Sequence, residues 1–269
     1  MNPIYLLLKL IIPPTMKKIL CLFAALTLLL TSCSSNDDYN PEDEQNNDDN
    51  NNPGTETVFL KKTIITDSEG EKVTSIYTYN GNKIVSIVDD SDESDAYYTY
   101  TGDLITKLEY KLADGTVEQV NTYAYDSKGR LVDFVRIDPV YDWGDREVYT
   151  YSADGSINYT EYIGDAATQT QENATGTVKF SNGEVIEMTN TVNDDHSYTY
   201  DTKNNPLKNV LGWSKICFTD SEANDVLHNM LTDKTDDKVW CSYTYTYNDA
   251  GFPTKSVESV EKETAEFFY

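Results

Sequence analysis

The side chains able to do chemistry are few in kind and uneven in number: two histidines, His196 and His228, stand against 46 Asp and Glu. A Ser or Cys nucleophile would need one of those imidazoles as its base. His196 closes a turn-like Asn193-Asp194-Asp195 stretch and His228 lies in a stretch of helical periodicity, so neither accompanies an organised nucleophile. G-x-S-x-G, H-E-x-x-H, P-loop and G-x-G-x-x-G signatures are all missing. A carboxylate-dependent hydrolase stays open as an alternative, because so many acids can pair at any separation, but for the same reason no pair is singled out. Cys217, His228 and Cys241 are metal-ligating types whose spacings fit no zinc module and which lack a fourth member. The run Asp89-Asp90-Ser91-Asp92-Glu93-Ser94-Asp95 lacks the glycine and terminal Glu of an EF-hand loop and reads as a solvated loop. No metal or cofactor is expected, and the chain reads as non-enzymatic.

Contact chemistry is better represented. Pro139 and Gly144 mark the segment from Asp138 to Asp145 as a loop. Within it Tyr141 and Trp143 stand beside Asp142 and Asp145, a combination that stacks on a sugar ring and accepts its hydroxyl hydrogens. These four residues are the candidate ligand contacts, for a glycan or a protein. The other tyrosines, most of the 21 in the chain, read as cross-strand ladders that stabilise a sheet.

The elements that must carry such a site come from a repeat. Tyr77-x-Tyr79-Asn80-Gly81 recurs as Tyr98-x-Tyr100-Thr101-Gly102, Tyr123-x-Tyr125-Asp126 with Gly129, and Tyr149-x-Tyr151-Ser152 with Gly155. It continues as Val178-x-Phe180-Ser181-Asn182-Gly183, Tyr198-x-Tyr200-Asp201, and Tyr245-x-Tyr247-Asn248 with Gly251. Tyr-x-Tyr places two rings on one face of a strand, and Asx-Gly supplies the positive φ of a tight turn. After each turn come spaced aliphatics such as Ile84 and Ile87, Leu104 and Leu108, or Leu131 and Phe134. The expected fold is all-β: an antiparallel meander of serial hairpins in a strongly twisted or barrel-like sheet over residues 58–269. One stretch breaks the rhythm. Thr219-x-x-Glu222 has the form of a capping box, and Ala223, Val226, Leu227, Met230 and Leu231 follow at helical spacing, so one short helix is expected near residues 220–232.

The repeat resembles the YD repeats of RHS-type proteins. Ahead of it, Lys17-Lys18 precede the apolar core Ile19 to Leu30, too short to span a bilayer. Leu30-Thr31-Ser32-Cys33 resembles the lipobox of bacterial lipoprotein precursors, which implies cleavage before Cys33 and acylation of it. Residues 1–15 precede a better start at Met16, which leaves 1–33 as signal peptide and 34–57 as a flexible acidic spacer without aliphatic core. The run Ser34-Ser35-Asn36-Asp37-Asp38 resembles the surface-export tag of Bacteroidota lipoproteins, implying outer-membrane or cell-surface display. Taken whole, the precursor is similar to Bacteroidota lipoproteins with a porin-like β domain, a resemblance that brings no catalytic residues. Loss of Lys9, Lys17 and Lys18 on cleavage takes the formal net charge from −25 to −28, which repels nucleic acid and anionic headgroups. Membrane attachment therefore falls to the acyl chains. An outer-membrane pore-like barrel is a further alternative, opposed by polar outer-face residues such as Thr78, Thr99, Lys107 and Thr199. Cys21 leaves with the signal and Cys33 takes the lipid. In an oxidising compartment the remaining pair, Cys217 and Cys241, is expected to form a disulfide worth about 3.5 kcal/mol.

Overall fold

The computed structural model describes residues 57–224, 227–236 and 238–269. Cys33, the signal and the spacer lie outside them. Strands β1 (Lys62–Thr66), β2 (Lys72–Asn80), β3 (Lys83–Asp89), β4 (Asp95–Thr101), β5 (Leu104–Lys111) and β6 (Val117–Tyr125) open the meander. It continues through β7 (Leu131–Asp138), β8 (Trp143–Tyr151), β9 (Ile157–Gly164), β10 (Gln169–Ser181) and β11 (Glu184–Asn190). It ends with β12 (His196–Tyr200), β13 (Met230–Thr235), β14 (Lys238–Tyr247), β15 (Pro253–Glu258) and β16 (Thr264–Phe268). Each strand pairs with its sequence neighbours, and β16 returns antiparallel to β1, Lys62 opposite Phe268 and Thr66 opposite Thr264. The result is a closed all-β barrel with no free sheet edge.

The repeat sets the local geometry. Gly81 and Gly102 take φ of +60° and +57° in the turns, conformations a side chain would strain. The ladder then slips by one residue at the second aromatic: Thr78 faces Ser86 but Tyr79 faces Ile84, and the same shift recurs at Tyr100, Tyr125, Phe180, Tyr200 and Tyr247. In each of these pairs one extra residue on the following strand makes a bulge, whereas Tyr151 faces Ile157 without a shift. That insertion explains why Ile84 and Ile87, or Leu131 and Phe134, three residues apart, are both buried. In β5 the inward pair is Ile105 and Leu108, with Leu104 half-exposed. The second aromatic of the unit also locks onto its neighbour. The hydroxyl of Tyr79 donates to Leu60 O (2.7 Å), Tyr125 to Ile105 O (2.6 Å), Tyr151 to Leu131 O (2.9 Å) and Tyr200 to Val185 O (2.6 Å). These bonds form a girdle at one end of the barrel, here called the turn end.

Barrels of sixteen or more strands are too wide for wall side chains alone to fill. The segment between β12 and β13 supplies what is missing. It enters from the turn end and buries Leu207, Val210, Trp213, Ile216, Phe218, Ala223 and Leu227. Trp213 packs on Tyr98 (5.7 Å between centroids), and Phe218 on Tyr149 (5.2 Å) and Phe180 (5.8 Å). Each large apolar side chain so buried contributes about 1.5–3 kcal/mol.

The helix expected near residues 220–232 is not formed. A single 3-10 turn, Trp213–Lys215, is the helical element among the described residues, and Met230 already begins β13. Asp220 and Ser221 take φ of 63° and 53°, which stops a right-handed helix at its start. Their N–H groups bind the buried Glu147 carboxylate (3.0 and 2.7 Å), and those of Leu227 and His228 bind buried Glu184 (2.6 and 2.7 Å). Glu147 thus takes the donors at the start of the stretch, and Glu184 takes two that a helix would have satisfied internally. The apolar spacing reflects contacts of a plug with the surrounding wall.

Candidate functional site

Along β7, β8 and β9 the lumen-facing residues change character. Toward the turn end they are aromatic and aliphatic, whereas toward the opposite end β7, β8 and β9 present Arg136 and Asp138, Asp145 and Glu147, and Glu161 at inward positions. The plug tip adds Asp220, Ser221 and Glu222 to this acidic end. Arg136 sits at its centre: Nη1 lies 3.0 Å from Asp220 Oδ2 and Nη2 lies 3.6 Å from Asp138 Oδ2. Those carboxylates, Asp220 foremost, raise the affinity of the guanidinium for its proton against the cost of burial.

Glu147 is 1% exposed and accepts hydrogen bonds from Asp220 N (3.0 Å), Ser221 N (2.7 Å), Ser221 Oγ (2.9 Å) and the Tyr149 hydroxyl. Burial pushes its carboxyl up to about 7, with the Tyr149 hydrogen bond opposing. Asp145 is pushed up to about 8 by burial and then by the charges of Glu147 and Glu161. Glu222 rises to about 8 by burial and then by Asp220. The acidic end is therefore a set of carboxyls organised around one arginine, three of them held well above the usual carboxylate range by burial and by neighbouring charge. Its chemistry is that of hydrogen-bond donation and acceptance.

The four candidate contacts are split by the fold. The expected loop shrinks to the tight connection 139–142, because Asp138 ends β7 and pairs with Trp143 at the start of β8. Tyr141 stands 60% exposed at the tip, and Asp142, with φ of 49°, accepts a hydrogen bond from Ala166 N at 3.2 Å. Trp143 and Asp145 instead share the lumen face, with the Arg136 guanidinium carbon 5.5 Å from the Trp143 ring centroid. Arg136, Glu147, Asp220 and Glu222 were not singled out from sequence. The signal lay in the strand phase: in Phe134-Val135-Arg136-Ile137-Asp138 and Asp145-Arg146-Glu147-Val148-Tyr149, charged residues occupy core-facing positions.

Other candidates resolve differently. Cys217 and Cys241 are both buried as thiols, and the expected disulfide is not formed. The Cys217 thiol donates to Ser214 O (3.5 Å) within the plug, while Cys241 faces Asp233 across the β13–β14 ladder. His228 Nδ1 lies 3.2 Å from Glu184 Oε1, and His196 Nδ1 lies 2.7 Å from Asp233 Oδ1. Among the described residues no group of three or more His, Cys, Asp or Glu is placed to hold a metal ion. In the acidic loop, Asp89 Oδ1 accepts from Ser91 N (2.9 Å) and Asp90 Oδ1 from Thr74 N (2.7 Å).

No protein-family model matches the chain, and no curated protein is similar to it in sequence. Among solved structures, it is similar to a porin-like protein from Bacteroides uniformis, at 15% identity and a TM-score of 0.49, over 78% of this chain and 97% of that one. A porin-like protein from Bacteroides vulgatus matches at 8% identity and a TM-score of 0.37, over 79% of this chain and 99% of that one.

Proposed function

We propose that this chain is an acyl-anchored, surface-displayed binding module, not an enzyme, and that its ligand, a glycan or a protein segment, meets the acidic end of the barrel. The observation that carries the reading is the asymmetry of the lumen. The turn end is sealed by the tyrosine girdle and the apolar plug, while the acidic end concentrates Trp143, Arg136, Asp145, Glu147 and Glu222. The described chain enters the barrel at Val58 to Leu60 on the turn end, where Leu60 O accepts the Tyr79 hydroxyl. A tether from Cys33 would then attach at the end opposite the proposed contact surface.

A pore-like barrel is the second reading, favoured by the closed wall. The outer face argues for water instead: it carries Lys107, Glu109 and Lys111 in one ion-paired row, with Lys179–Glu187 and Arg146–Asp133 on other strands. A basic residue on a lipid face costs about 2–4 kcal/mol at the midplane, and the plug occupies the space a channel would need. The test of the binding reading is to screen the purified full chain against pooled glycans and peptides, reading both affinity and product. Saturable binding without product, weakened by Trp143→Ala with the fold intact, is expected. Product release abolished by Asp145→Asn or Glu222→Gln would make the chain a hydrolase.

A further inference from the structure

Arg136 and Asp145 are register partners on β7 and β8 and point into the lumen beside Trp143. Each carries one buried polar atom without a partner: Arg136 Nε, a donor, and Asp145 Oδ1, a carboxyl oxygen able to accept. The Arg136 fork is held by Asp220 and Asp138, so Nε cannot turn to seek another acceptor without breaking an ion pair. Buried polar atoms without partners are rare in folded proteins. Here two that can meet one hydroxyl stand on cross-strand neighbours, next to an indole ring.

We infer that Arg136, Asp145 and Trp143 form a subsite for an uncharged, hydroxyl-bearing sugar, with Arg136 as the residue that sets its orientation. A sugar hydroxyl both accepts and donates. It can take the Nε hydrogen and give its own to Asp145 Oδ1, while the ring's apolar face packs on Trp143. An anionic group is disfavoured because Asp138, Glu147, Glu161 and Asp220 line the same end and Arg136 is already paired. An ammonium group would satisfy Asp145 but meet the positive charge of Arg136 and leave Nε unmet. The Arg136 side chain is 24% exposed, so the subsite is open to solvent at its edge. The subsite rests on the binding-module reading and adds to it the ligand class and the residue that selects it.

Calorimetric titration of the full chain with cellotriose, 3′-sialyllactose and pentalysine tests the assignment. Cellotriose is expected to bind, and the anionic sugar at least tenfold more weakly. Arg136→Lys keeps a positive charge beside Asp138 and Asp220 but removes Nε, and should cost at least tenfold in cellotriose affinity. Asp145→Asn keeps an acceptor oxygen and should stay within about threefold, whereas Asp145→Leu should abolish binding. If Arg136→Lys also lowers the melting temperature, the Asn and Leu pair at position 145 decides the matter on its own. Wild-type affinity in Arg136→Lys with its fold intact, or equal loss in both position-145 variants, would overturn the subsite. Binding of pentalysine but not cellotriose would overturn the sugar assignment and leave the binding module standing. Binding of none of the three would overturn the subsite and leave the binding module to the pooled screen.

Discussion

Glu147 draws its four hydrogen bonds from the plug and from its own strand, and this makes its charge a structural quantity. Asp145, Glu147 and Glu222 all have folded-state values of about 7 to 8, raised chiefly by burial, against about 4 in an unfolded chain. Between those limits the folded state holds protons that the unfolded chain has released. The stabilisation is thus fully present below about pH 4 and lost as pH rises through 7 to 8. The melting temperature should fall by at least about 5 °C between pH 5 and pH 9, and Asp145→Asn should flatten the slope. A melting temperature that rises over this range would contradict the assignment. The two buried cysteines give a second expectation at this scale. Intact mass should be the same with and without reductant, and both thiols should react only after unfolding. A mass lower by two protons before reduction would restore the disulfide.

The hairpin unit is the element on which the fold is built, and its second tyrosine does more than pack. Tyr125→Phe leaves Ile105 O without its donor and should lower stability by about 1 kcal/mol. Tyr141→Phe, at an exposed tip, should change it by less than 0.5 kcal/mol. Equal effects in denaturant unfolding would reduce the girdle to surface packing. Trp213→Ala, at the 2% exposed centre of the plug, should cost about 3–5 kcal/mol; a loss under 1 kcal/mol would mean the barrel stands without its filling. The all-β meander was legible because Tyr-x-Tyr and Asx-Gly act locally, one on strand phase and the other on turn geometry. The bulges were only half legible. Ile84 and Ile87 were noted as a spaced pair, but a spacing of three on one strand face makes sense only once a residue is known to be inserted between them. The plug was misread because Thr219, Glu222, Ala223 and Leu227 match a helical template. Their backbone partners, Glu147 and Glu184, lie 73 and 43 residues away from Asp220 and Leu227. The acidic end escaped for the same reason: Trp143 and Asp145 stand out by type, but Arg136 joins them only through strand pairing.

For the whole molecule, the wall and the charge tell one story. A chain of formal net charge −25 that lays an ion-paired Lys–Glu row along its outer face and packs a plug into its own lumen suits the proposed water-facing barrel. Such a net charge opposes binding to anionic membranes and nucleic acid. On the proposed reading, attachment to a membrane falls to acyl chains on Cys33, one or two of which would supply affinity that the wall does not. Detergent-phase partitioning of the intact protein and of its Cys33→Ala variant, side by side, asks this most directly. The wild type should enter the detergent phase and the variant should stay in the aqueous phase with its fold unchanged. Entry of the variant into detergent would show that the wall itself faces lipid, and would contradict the account of a water-facing barrel on an acyl tether.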